Sequence, residues 1–121
     1  MTFDQAVREY LDIFYGLPDD GRVESMVEQP LPIGDVKDAY LAAVAEHLSL
    51  QYGLPVPEWS ETVGFDLPRA WFGTKLESLK ATLLAESPLA FRRRMLFVSE
   101  NALHRATMNL PRKDSSRAFG M

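Results

Sequence analysis

The sequence predicts an all-α fold: four to six helices in a single compact domain over residues 1–110, interrupted by a long ordered loop rich in proline and tryptophan, with a flexible tail over 111–121. Three observations carry this prediction. Apolar residues recur at helical spacing in several segments. Serine, threonine or aspartate stands where those segments would begin, as helix N-termini require. Glycine and proline mark the breaks between the segments.

Thr2–Tyr15 is the first predicted helix. Phe3, Val7, Leu11 and Phe14 share one face, and Thr2 with Gln5 has the spacing of a capping box, in which each side chain satisfies an orphan amide. Gly16 and Pro18 end it. Leu17–Gly34 is turn-rich, with a single helical turn expected at Val23–Val27. Asp35–Tyr52 is the longest predicted helix. Asp35 is placed as N-cap, Asp38 adds negative charge to the first turn, and Leu41, Val44, Leu48 and Tyr52 form the apolar stripe. Gly53 and Pro55 stop it.

Leu54–Thr74 reads as an ordered loop, because three prolines forbid a continuous helix while Trp59, Phe65, Trp71 and Phe72 are too apolar to leave in water. Thr74 and Glu77 suggest a second capping box, opening a helix with Leu76, Leu79, Leu83 and Leu84 turned inward. Ser87 and Pro88 fit N-cap and N1 of a short helix, Leu89–Arg94. Met95–Val98 is an apolar, extended link, and Ser99 is placed to cap a last helix, Glu100–Met108.

Charge is divided unevenly along the chain. Up to Asp66 there are 13 acids and 3 bases, a balance of −10; from Leu67 there are 10 bases and 4 acids, a balance of +6. The overall −4 hides a division that serves either to hold the two halves together or to keep a basic surface for an anionic partner. There are no cysteines, which removes disulfides, thiolate nucleophiles and zinc-finger or iron–sulfur ligation together. The N-terminus lacks the basic and apolar regions of a signal peptide, and no apolar run approaches a membrane span. A cytoplasmic protein is therefore expected.

The residues suggest no catalytic centre. His47 and His104 are the only histidines. His47 lies beside an apolar stripe, where a packing role is the ordinary one, and His104 adjoins Arg105 on a basic face. No metal-ligand spacing and no glycine-rich phosphate loop is present, and Ser60, Ser87 and Ser99 read as turn or cap residues. No cofactor or metal is called for. Enzymatic use of Glu46, His47 and His104 would require them to converge on one pocket.

The sharpest local signal is Arg92-Arg93-Arg94. Successive helical residues point about 100° apart, so all three cannot share a face. One or two should meet solvent or a partner while the third pairs with an internal acid. The run is either an anion grip or a means of neutralising the acidic half. Lys75–Glu86 followed by Pro88–Arg94 has the outline of a helix-turn-helix, without a glycine in the turn.

From about Tyr40 to Ala106 the chain resembles a family of small, largely uncharacterised bacterial proteins. The segments that carry the resemblance are Ala45-Glu46-His47-Leu48, Leu54-Pro55-Val56-Pro57-Glu58-Trp59, Pro68 through Trp71-Phe72, and above all Ser87-Pro88-Leu89-Ala90-Phe91-Arg92-Arg93-Arg94 followed by Phe97-Val98-Ser99-Glu100-Asn101-Ala102-Leu103. The resemblance implies an association with a neighbouring nucleotidyltransferase-like gene, in the manner of a toxin–antitoxin pair, and brings no catalytic motif with it.

The expectation is therefore a non-enzymatic interaction module with a protein partner or a second copy of itself, and no membrane. The candidate contact residues are Trp59, Trp71, Phe72, Arg92, Arg93, Arg94 and Arg105. The alternative is a nucleic-acid-binding regulator using Arg92, Arg93, Arg94, Arg105, Arg112 and Lys113.

Overall fold

Local capping and periodicity produce most of the secondary structure in the computed structural model, which describes residues 2–109. The fold is all-α, with five α-helices among the described residues: α1 (Phe3–Gly16), α2 (Asp19–Val27), α3 (Asp35–Tyr52), α4 (Glu77–Glu86) and α5 (Leu89–Arg92). Short 3-10 turns occupy Glu58–Glu61 and Ala106–Asn109. Strands β1 (Trp71–Phe72) and β2 (Leu96–Phe97) pair in parallel, Trp71 opposite Leu96 and Phe72 opposite Phe97. No described helix is long and apolar enough to cross a membrane. The predicted tail, 111–121, lies outside the described residues. The chain divides into two compact units, one of residues up to Val27 with those from Leu103 on, the other Glu28–Ala102.

In the first unit α1 begins with the predicted capping box. The Gln5 amide donates to Thr2 Oγ1 at 3.1 Å and the Thr2 amide donates to Gln5 Oε1 at 2.9 Å. Val7, Leu11, Phe14 and Tyr15 are buried on its inner face. The single turn expected at Val23–Val27 is instead the end of a nine-residue helix. Pro18 supplies a carbonyl to the Arg22 amide, and Asp19 and Asp20 place negative charge against the first turn. Arg22 then turns inward, where Nε donates to the Phe14 carbonyl at 3.0 Å and Nη2 to the Tyr15 carbonyl at 2.9 Å. A buried arginine of α2 thus closes the C-terminus of α1, whose last carbonyls have no helical partner.

The predicted helix Glu100–Met108 does not form. The Ser99 hydroxyl accepts from the Asn101 amide in a tight turn, and only Ala106–Asn109 is helical, as 3-10. A continuous helix would need the Leu103 carbonyl for its own ladder, but the Tyr15 hydroxyl takes that carbonyl at 2.9 Å in the buried interior.

In the second unit α3 is the central element. Ala39, Ala42, Ala43 and Ala45 are buried along it, and these small side chains let α5 and the Glu58–Glu61 turn approach closely. Gly34, not Asp35, takes the N-cap position, and Asp38 reaches back to accept from the Ile33 amide at 2.8 Å. Gly53 ends the helix in the left-handed conformation at φ 67°, as expected of a glycine C-cap. Gly64 is needed for space as well as for its φ of 89°: a Cβ there would lie 2.6 Å from Ala39 Cα.

Two further local expectations fail for instructive reasons. The Thr74–Glu77 capping box is absent, since Leu76 is the N-cap and Thr74 Oγ1 instead accepts from the Leu76 amide. Ser87 does not cap α5. Its hydroxyl bridges the Leu83 and Val98 carbonyls and accepts from the Val98 amide at 2.8 Å, which stitches the end of α4 to β2. The loop expected over Leu54–Thr74 is ordered, but Trp71 and Phe72 within it form β1.

Candidate interaction surface

Arginine geometry is decided by how many acceptors surround each guanidinium. Arg94 is 1% exposed, and all three of its nitrogens are used. Nη1 donates to Glu46 Oε1 at 2.6 Å and to the Ala90 carbonyl at 2.8 Å, Nε to the Val63 carbonyl at 3.0 Å, and Nη2 to the Ser60 carbonyl. Burial pulls this guanidinium below its ordinary pKa, and its hydrogen bond to the Glu46 carboxylate opposes that shift. The side chain ties α3, the 3-10 turn and the loop behind it to α5. It is a scaffold residue in this structure, not one on the surface.

Arg93 shares the same acid, donating from Nη1 to Glu46 Oε2 at 2.6 Å, yet its side chain remains about half exposed. Both guanidiniums lie over the Phe65 ring, Arg93 at 5.1 Å and Arg94 at 4.3 Å from the centroid. Phe65 therefore has a cationic face against it and its opposite side toward solvent. Arg92 donates to the Ala85 and Ser87 carbonyls at the end of α4 and stays exposed. The run is split much as the helical rotation anticipates, with one arginine inside, one shared and one outside.

In the other unit Arg105 makes a two-pronged pair with Asp12, at 3.0 and 3.1 Å, and this hydrogen bonding raises its pKa. Glu46 with Arg93 and Arg94, and Asp12 with Arg105, each join an acid from the acidic part of the sequence to bases from the basic part. Self-neutralisation thus accounts for part of the charge division. Arg112 and Lys113 lie outside the described residues.

The aromatic candidates are half-buried. Trp71 meets Tyr40 edge-on at 6.2 Å, and Tyr40 in turn packs on Phe91 at 5.2 Å. Phe72 stacks on Phe97 at 5.2 Å with the Lys80 ammonium above it at 5.2 Å. Trp59 lines a small cavity with Pro30, Pro32, Leu41 and Val63.

Sequence reasoning missed an exposed set of leucines on α4 and its cap. Leu76, Leu79, Leu83 and Leu84 fall within one arc of α4 and its cap, and were expected inward. Only Leu83 is buried; Leu76 is 60% exposed, Leu79 45% and Leu84 48%. The helix rests on β2 through Leu83 and turns the remainder of its apolar face to solvent. Leu89 and Met95, flanking the arginine run, are also exposed. The amphipathic spacing was the available signal, but spacing alone does not say what covers a face.

His47 is half-buried, its ring 6.2 Å from that of Phe91, and burial lowers its pKa against an opposing hydrogen bond with Gln51. Its neighbour Glu46 is committed to two arginines. His104 is exposed and belongs to the other unit. Among the described residues no three histidine, aspartate or glutamate side chains group to hold a metal ion. The α5 helix is four residues long, about one turn, which is short for a helix that must lie along a DNA groove. No family model, curated protein or solved structure matches the chain.

Proposed function

We propose that this chain is a non-enzymatic protein-interaction module, the neutralising partner of a nucleotidyltransferase-like bacterial protein. The observation that carries the reading is α4. Its sequence has the apolar face of a core helix, and that face stands open at Leu76, Leu79 and Leu84. A helix with an apolar face left in water is best explained by a second molecule that covers it. The resemblance of the Ser87–Leu103 block to small bacterial proteins of toxin–antitoxin type supplies the kind of partner. Arg92 and Arg93 border this surface in sequence, are exposed, and supply arginine, a residue type enriched in binding hot spots, while Leu89 and Phe65 add exposed apolar area beside them.

The alternative, a nucleic-acid regulator working through the arginines, has less support. Arg94 is buried and Arg105 is paired with Asp12, so neither offers an unengaged guanidinium to phosphate.

The test is affinity capture by the tagged chain from its host's lysate, with nuclease and at two salt concentrations. The wild type is expected to retain a stoichiometric nucleotidyltransferase-like protein after nuclease, and Leu79→Glu with Leu84→Glu to lose it while keeping a native circular dichroism spectrum. Retention by the double variant would sink the α4 reading. Recovery that requires nucleic acid and collapses with salt would transfer it to the arginines.

A further inference from the structure

Away from α4, the Glu28–Ala102 unit contains a pocket of about 90 Å³ beneath the extended segment that precedes α3. Its walls are the rings of Pro30 and Pro32, the side chains of Leu41 and Val63, and the indole of Trp59. One charged group, Asp38, lines it. Asp38 Oδ1 accepts from the Ile33 amide at 2.8 Å, which fixes the carboxylate in place, and Oδ2 has no hydrogen-bond partner among the described residues. At about 90 Å³ the pocket has room for a short unbranched chain.

The surroundings select the charge of what enters. Glu28, Asp35, Glu58 and Glu61 are exposed on the segments that form the rim, and neither they nor Asp38 is in an ion pair among the described residues. Lys37 is the one base in those segments. An aromatic face beside a carboxylate in a negative field favours a compact cation. Apolar walls favour the methylene stem that carries it.

We propose that this pocket binds the side chain of a lysine presented by a basic peptide segment, its stem along Pro30, Pro32, Leu41 and Val63 and its ammonium between Asp38 Oδ2 and the Trp59 ring. The assignment is independent of the α4 surface. Lysine fits better than arginine because its charge is compact and its stem slender, whereas a guanidinium is a broad plane suited to forked acceptors. The rim acids steer the segment in, and the pocket discriminates one residue of it.

The experiment is a titration of the full-length, nitrogen-15-labelled chain with the peptide acetyl-Gly-Gly-Lys-Gly-Gly-amide, followed by the Trp59 indole resonance, which Trp71→Phe identifies. Peptides with norleucine or arginine in place of lysine serve as comparisons. Saturable shifts are expected at the Trp59 indole and the Ile33 and Leu41 amides, with norleucine binding about tenfold or more weakly, the margin of one charge-assisted hydrogen bond. Asp38→Asn keeps the acceptor for Ile33 and should weaken the lysine peptide by a similar factor. Equal binding of lysine and norleucine, tighter binding of arginine, indifference to Asp38→Asn, or no saturable shift at Trp59 would each overturn the assignment. The same titration on Leu79→Glu, Leu84→Glu should be unaltered, which separates this pocket from the α4 reading.

Discussion

A buried charge is tolerable only when every nitrogen or oxygen around it is answered, and Arg94 meets that condition with one carboxylate and three carbonyls. Arg94→Ala should cost about 3–5 kcal/mol, since it removes one of the two arginines that balance the buried Glu46 and leaves three carbonyls without this donor. Arg94→Lys should recover only part of this, because an ammonium cannot fork toward acceptors on three sides. Chemical denaturation of each variant checks both values. Gly64→Ala fails on the same scale for a steric reason: the new methyl would meet the α3 backbone at Ala39, in a conformation that already requires positive φ. A loss of about 1–3 kcal/mol is expected from overpacking, with strain in addition. His47 links residue to solution conditions. Its folded pKa lies below the unfolded value, so the unfolded chain binds more protons, and stability falls as pH drops through about 6.5 toward the folded pKa. Thermal midpoints measured from pH 8 to pH 5 should decline less steeply for His47→Leu than for the wild type across that window.

At the scale of elements, what was legible in the sequence is what is local. The capping box at Thr2, the glycine stop at Gly53 and the periodicity of α1 are written within a few residues of where they act, whereas the stripe expected on α3 gives way to a helix buried nearly all round through its alanines, with Leu41 and Tyr52 only half-buried. What was illegible is what distant residues decide. Strands β1 and β2 are two residues each, too short for any period to register, and they exist because residues 25 positions apart pair. Ser87 has the spacing of an N-cap, but the carbonyl and amide of Val98, just after β2, claim its hydroxyl first. The α4 leucines show the other limit: all four were read as inward-facing, only Leu83 is buried, and under the function proposed above a second molecule's surface covers the rest. Because these side chains are exposed, Leu79→Gln with Leu84→Gln should shift unfolding free energy by no more than about 0.5 kcal/mol per site. A core role for either leucine would instead cost about 2–5 kcal/mol, so the denaturation curve distinguishes the two. For the candidate site, the sequence named the arginine run and the tryptophans. It could not tell that Arg94 would be inside, because Glu46 lies nearly fifty residues away.

For the molecule as a whole, the division of charge has two consequences. Part of it is internal, held in Glu46 with Arg93 and Arg94 and in Asp12 with Arg105. The remaining acids of the early segments, under the function proposed above, would favour a basic protein surface over nucleic acid.

The ladder of β1 and β2 has a mechanical consequence. With the Trp71 and Gly73 amides bonded to the Met95 and Phe97 carbonyls, it draws shut a loop of the chain on which α4 is carried. Beyond that ladder, the Ser87 stitch and Leu83 hold the helix down, with half-exposed or exposed contacts from Arg92 to the Ala85 carbonyl, from the Glu100 amide to Glu86 and from Lys80 to the Phe72 ring. Such an element can detach while the rest of the unit stays folded, because little apolar area must be exposed for it to leave. Amide hydrogens of α4 should therefore exchange with solvent by a local opening of low free energy, ahead of those in the alanine-lined interior of α3. A deuterium-exchange time course would show this as early labelling confined to residues 77–86, and occupancy of the leucine face by the protein partner proposed above should slow it.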